Sequence, residues 1–202
     1  MLSRPIALLV FALLAPAQDF KPLFDGKSLD GWRETPFTNH GKASVIGGEI
    51  VLAPGRPLTG ITWAGEFPKT NYEIRFETMR RKGNDFFASL TFPVGESFCT
   101  WIAGGWGGDI VGLSSLDDMT AAENETRTYF NFENNRWYRF RLQVTPSRIT
   151  AWIDDERIIQ VEITGRFISL RPGAIELSAP LGFASYATEG ALRNVEYRLL
   201  ER

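Results

Sequence analysis

Residues 137–161 constrain this chain more than any other stretch. They read WYRFRLQVTPSRITAWIDDERIIQV, three short runs separated by two turn clusters, Thr145-Pro146-Ser147 and Asp154-Asp155-Glu156. In the first run Tyr138, Phe140, Leu142 and Val144 fall on one side, and Trp137, Arg139, Arg141 and Gln143 on the other. That period of two marks a strand with one buried face. The second run repeats it, with Ile149, Ala151 and Ile153 against Arg148, Thr150 and Trp152. The third, residues 157–161, is short and β-branched. A helix would spread the same apolar residues around its cylinder. Three strands joined by turns this tight make an antiparallel meander. A meander with one apolar face needs a second layer to cover it.

The rest of the chain reads as that layer. Residues 45–52 form a hairpin around Gly47-Gly48, residues 61–67 carry Trp63, and residues 72–79 alternate Tyr72, Ile74, Phe76 and Thr78 against Glu73, Arg75, Glu77 and Met79. Gly83-Asn84 turns the chain into a strand at residues 86–92, with Phe86, Ala88, Leu90 and Phe92 on one side and Phe87, Ser89 and Thr91 on the other. Strands follow at residues 98–103 and 110–113, separated by Gly104-Gly105-Trp106-Gly107-Gly108-Asp109, the most unusual local sequence in the chain. Residues 114–128 are polar and acidic and read as a loop; residues 175–177, 181–185 and 192–199 close the domain as strands. No segment has a sustained helical period with caps, and short strands at intervals of roughly eight to twelve residues predict an all-β, two-sheet antiparallel sandwich. At 202 residues, with 44% hydrophobic and 13% aromatic content, the chain suits one domain with a sizeable core.

Residues 1–17 read as a signal peptide: Arg4 is the basic region, residues 6–14 are apolar but too short to span a bilayer, and Ala15-Pro16-Ala17 offers a cleavage site. Cleavage after Ala17 predicts an exported protein whose single domain is residues 18–202. No other stretch is long and apolar enough for a membrane span. A net charge of −2 argues against nucleic acid, which needs a concentrated basic surface. The one basic cluster, Arg80-Arg81-Lys82, precedes a Gly-Asn turn and reads as a solvated strand end. Cys99 is the single cysteine, so no intrachain disulfide forms and the thiol reads as a buried structural group.

The segment FKPLFDGKSLDGW (residues 20–32) resembles the entry signature of the 3-keto-disaccharide hydrolase domain family. NYEIRFETMRR, GLSSLDDMTAAENETR, the meander and the closing GFASYATEGALRNVEYRLL are also similar to it, so the likeness spans about residues 20–200. It implies a concanavalin A-like, laminin-G-like jelly-roll sandwich and a carbohydrate substrate or ligand. One departure is that Asp154-Asp155-Glu156 stands in the meander turn where the family often has Asn-Gly or Asp-Gly.

The implied reaction cleaves a glycosidic bond in a sugar already oxidised at C3. The ketone acidifies the C2 proton, a base removes it, an enolate forms and the C1 substituent leaves. Such a site needs a general base and a cation to hold the enolate oxygen. The base is His40 or Glu73; the enolate partner is Arg75, Arg139, or a divalent metal ion on Asp109 and neighbouring acids. Trp106, between paired glycines, either stands exposed and stacks on a sugar face, with Asp109 and Asn124 taking hydroxyls, or folds back to plug the sandwich edge. Convergence of these residues on one face supports a sugar site, and dispersal favours a structural module. The Glu-x-Asp-x-Glu strand pattern of jelly-roll glucanases is absent. Glu73 and Glu77 are roughly 13 Å apart along an extended strand, too far for a glycosidase carboxylate pair. A non-catalytic, lectin-like sandwich is the alternative to an enzyme.

Overall fold

The computed structural model describes residues 19–201; the signal-peptide reading lies outside them. Among the described residues the strands are β1 (Lys21–Pro22), β2 (Trp32–Glu34), β3 (Ala43–Ile46), β4 (Glu49–Leu52), β5 (Leu58–Trp63), β6 (Tyr72–Lys82), β7 (Ser89–Val94), β8 (Ser97–Gly105), β9 (Ile110–Ser114), β10 (Thr128–Tyr129), β11 (Trp137–Val144), β12 (Arg148–Ile153), β13 (Glu156–Glu162), β14 (Gly182–Tyr186) and β15 (Glu189–Leu199). They form two antiparallel sheets. One runs β13-β12-β11-β6-β15-β4-β3, with β1 added on β15; the other runs β10-β9-β8-β7-β14-β5-β2. No described helix is long and apolar enough to cross a membrane.

The meander sets the register of the first sheet. Phe140 pairs with Ile153 and Leu142 with Ala151 across β11 and β12, and the same residues pair with Phe76 and Ile74 of β6. All of these are buried, so a one-residue slip would bring Arg139 and Arg141 into the core. The turn at 154–155 closes without glycine because Asp154 takes φ 52°, a conformation that Asp tolerates better than most residues. Its Oδ1 accepts the Arg139 N–H at 3.0 Å, and its Oδ2 accepts from Arg136 at 3.2 Å. The second sheet faces the meander with Leu90, Phe92, Cys99, Trp101 and Phe183, all buried. Rings interlock across the gap, Trp101–Phe140 at 4.8 Å and Phe76–Phe183 at 4.9 Å between centroids, and Phe76 stacks on Phe140 within the first sheet at 5.2 Å.

Three segments depart from the sequence reading. Residues 86–88 are not strand. The Asp85 carboxylate accepts the Phe86 N–H at 2.8 Å and bends the chain. Phe87 therefore turns into the core, 5.0 Å from Phe132, and Phe86 turns out. Gly190 lets this bend approach: a Cβ there would stand 1.9 Å from the Phe87 carbonyl oxygen. Residues 175–177 are not a strand either; Ala174–Ser178 is a 3-10 helix whose Glu176 carboxylate accepts the Gly173 N–H at 3.0 Å. Arg80 is not a solvated end but is buried, on the inward-facing row of β6.

The two outward faces differ in chemistry. That of the first sheet is a lattice of charges. That of the second is small and hydroxylic: Gly60, Thr62, Ser89, Thr91, Thr100, Gly182 and Ala184, with Thr91 and Thr100 hydroxyls 3.1 Å apart.

Candidate functional site

The predicted site residues disperse over different faces, the outcome expected of a structural module, so as a set they do not form a sugar site. Glu73, Arg75 and Arg139 lie on the outward face of the first sheet, Glu73 opposite Gln143 and Arg75 opposite Arg141 in the β6–β11 register. The Glu73 side chain is only 2% exposed. Its Oε2 accepts from Gln143 at 2.7 Å and Arg198 at 3.0 Å, and Arg141 stands 4.0 Å away. A carboxylate so enclosed and paired reaches a ligand only by breaking that network. Arg75 bonds Glu196 at 2.5 Å and lies 3.6 Å from the centroid of the Phe20 ring; Arg139 bonds Asp155 at 2.8 Å. Between them runs a cleft of about 500 Å³ lined by Arg75, Glu77, Arg139, Arg141, Asp154 and Glu196. Its charges are already matched. Burial pushes the Glu77 carboxyl upward, but hydrogen bonds from Asn194 and Arg193 outweigh that and hold it below its ordinary range.

His40 and Asn124 are elsewhere. His40 is exposed in the β2–β3 loop, its Nδ1 2.8 Å from the Gly41 carbonyl oxygen, and lines neither cleft. Asn124 is buried. Its amide donates to the carbonyls of Leu113, Met119 and Thr120 at 2.7–3.0 Å, and its Oδ1 accepts from the Thr126 N–H at 3.0 Å and hydroxyl at 2.6 Å. It knits the 114–128 loop together and has no amide hydrogen left for a sugar. Asp109 is exposed, its carbonyl accepting the Phe130 N–H at 2.8 Å. Among the described residues no three His, Cys, Asp or Glu side chains gather to hold a metal ion, so the residues present do not fit the divalent cation.

A second cleft, of about 490 Å³, opens on the hydroxylic face of the second sheet. Trp106 stands at its rim, 45% exposed and with φ 52°. Phe86 and Tyr186, 5.6 Å apart, continue the aromatic wall. Thr100 and Ser114 lie on the floor, and the charged groups lining it are Asp85 and Arg171. Asp85 is tied to the Trp106 turn, its Oδ2 accepting the Gly107 N–H at 3.3 Å. The size is that of sites for small ligands, and apolar rings with a few convergent polar groups are their usual lining. Of the predicted residues only Trp106 is here. Asp85, Phe86, Arg171 and Tyr186 were missed, although an Asp just after a Gly-Asn turn and beside two aromatic residues was visible in NDFF.

A family model for the 3-keto-alpha-glucoside-1,2-lyase-like domain matches residues 19–198. No curated protein matches the chain. Among solved structures it is similar to the carbohydrate-binding module CBM66 from Bacillus subtilis, at 13% identity over 83% of this chain and 95% of that one, TM-score 0.57. It is also similar to the exoplasmic/lumenal domain of VIP36 bound to Ca²⁺ and Man3GlcNAc, at 10% identity over 92% of each chain, TM-score 0.63. A third is the Crh5 transglycosylase in complex with NAG, at 15% identity over 84% of this chain and 81% of that one, TM-score 0.51. At these identities the likeness shows the fold, a jelly-roll sandwich.

Proposed function

Because the chain belongs to the 3-keto-alpha-glucoside-1,2-lyase-like domain family, we propose that it is an exported carbohydrate-active protein that cleaves 3-keto-glycosides in the cleft under Trp106. The observation that carries this reading is the cleft's composition: an exposed indole beside one carboxylate, one guanidinium and a hydroxyl floor. An indole presents a flat apolar surface to the C–H face of a pyranose, and Thr100 and Ser114, 2% and 3% exposed, close the floor beneath it.

In this reading Asp85 rather than Glu73 or His40 removes the C2 proton, since it lines the cleft and Glu73 is enclosed on the opposite face. The C–H electron pair moves into the enolate, whose C3 oxygen the Arg171 guanidinium stabilises. Expulsion of the C1 substituent follows as the enolate collapses to a C1–C2 double bond, and the departing oxygen takes the proton from Asp85. Water then adds across the C1–C2 double bond, its hydroxyl to C1 and its proton, by way of Asp85, to C2. The second reading is a non-catalytic binding module, favoured by the presence of only one carboxylate among the lining residues.

The test is release of the leaving group from a 3-keto-glucoside by the full chain, with Asp85→Asn and Trp106→Ala. The enzyme reading expects turnover that Asp85→Asn lowers by about 10²-fold or more, with sugar binding retained. Binding without turnover selects the lectin-like module, and binding unaffected by Trp106→Ala rejects the cleft.

A further inference from the structure

The buried guanidinium of Arg80 has no evident use in the core, and its contacts run to the loops behind the cleft. β6 sends Tyr72, Ile74, Phe76 and Thr78 inward, and the next residue in that row is an arginine, 7% exposed. Among the described residues no carboxylate forms an ion pair with it. Instead its three nitrogens are spent on two loops: Nε donates to Asn134 Oδ1 at 2.6 Å, Nη2 to the Phe132 carbonyl and Nη1 to the Gly108 carbonyl at 3.3 Å. A cation taken out of water without an anionic partner is costly, and an apolar residue of similar length would fill an inward strand position at less cost. What an apolar residue cannot do is hold the 104–109 turn to the 132–134 segment.

That turn is built to be held. Gly108 has φ +119°, and a Cβ on it would stand 2.6 Å from the Asn84 carbonyl oxygen and 3.1 Å from Arg80 Nη1. The backbone is therefore pressed onto the guanidinium at a point only glycine permits. Two residues earlier, Trp106 takes a left-handed conformation that an aromatic residue adopts only under constraint. The Gly107 N–H goes to Asp85, and Arg80 holds the opposite side of the turn.

We propose that Arg80 is the positioning residue of the sugar cleft: through its bond to the Gly108 carbonyl it fixes the 104–109 turn so that Trp106 projects over the floor. The proposal rests on the sugar reading for its purpose, but its mechanical claim is tested separately. The experiment measures hydrogen exchange of segment 104–109, and acrylamide quenching of Trp106 taken as the difference from Trp106→Phe, in wild type and Arg80→Lys. A 3-keto-glucoside titration runs alongside.

Lysine keeps the charge but lacks the fork that spans three acceptors. The expected result is a native circular dichroism spectrum, exchange in 104–109 faster by about tenfold or more, and Trp106 more readily quenched. Sugar affinity falls by a similar factor. Unchanged exchange and quenching in Arg80→Lys overturn the proposal. If Arg80→Lys does not fold, Arg80→Gln removes the guanidinium that bonds the Gly108 carbonyl without leaving a buried cation. Faster exchange in 104–109 then supports the proposal, and wild-type exchange overturns it. A wild-type protein that binds no sugar defeats the functional reading, while the exchange data still decide the role of Arg80.

Discussion

Changing Glu73 to Gln separates a structural carboxylate from a catalytic one. Glu73 is enclosed by Gln143, Arg198 and Arg141, and the two arginine side chains remain 28% and 39% exposed. Gln keeps the shape but removes the charge and turns an NH₂ toward donors. A hydrogen bond to a charged group contributes about 1.5–3 kcal/mol. Breaking a fully buried pair costs about 3–5 kcal/mol. Water can reach both arginines, so the lower range applies, about 2 kcal/mol. For a chain of this size that lowers Tm by about 4–8 °C. Thermal unfolding followed by circular dichroism measures it, and turnover of a 3-keto-glucoside well below the transition measures the chemistry. The account expects the lower Tm with turnover retained. An unchanged Tm with turnover down by about 10²-fold or more would show Glu73 to be the base and refute the placement of the chemistry at Asp85.

Burial pushes the Cys99 thiol up to about 12, whereas in the unfolded chain it ionises near 8.5. Its contribution is therefore complete below about pH 8.5 and is lost as pH rises toward 12. Between pH 8 and 10 wild type should lose on the order of 2 kcal/mol more than Cys99→Ala in urea titrations; equal losses would contradict the assignment. Gly190→Ala should destabilise by about 3 kcal/mol or more, or prevent folding, because its Cβ meets the Phe87 carbonyl oxygen at 1.9 Å; a near-native urea midpoint would refute the close approach. Asn124→Ala should cost about 2–3 kcal/mol by leaving buried backbone groups of the 114–128 loop unpaired. Its sugar affinity should be unchanged; a specific affinity loss at native stability would restore Asn124 as a ligand group.

The meander was legible because alternation fixes which residues face inward, and its pairing with β6 followed from the matching row Tyr72, Ile74, Phe76 and Thr78. The sandwich followed from pattern; glycine spacing left Trp106 either exposed or folded onto the edge, and the structure decides for exposure. Arg80 was not legible. Its place in the inward row was readable, but a positive charge beside Arg81 and Lys82 looks like solvent-facing sequence, and its acceptors are carbonyls 28 and 52 residues away. Asp85 and Phe86 were hidden for a related reason: one side-chain-to-backbone bond bends residues 86–88 out of the alternation on which the strand reading relied. Glu73 misled because a strand face opposite a core was taken as open, whereas Gln143 and Arg198 close over it. Arg171 sits in a connection with no periodicity, so only its tertiary position brings it to the cleft.

The most direct test of the account is a crystal structure of the protein soaked with a 3-keto-glucoside. It should show the sugar ring stacked on Trp106 with its C2 facing Asp85 and its C3 oxygen toward Arg171. Density for the sugar between Arg75 and Arg139 on the opposite sheet, with the Trp106 cleft empty, would contradict it.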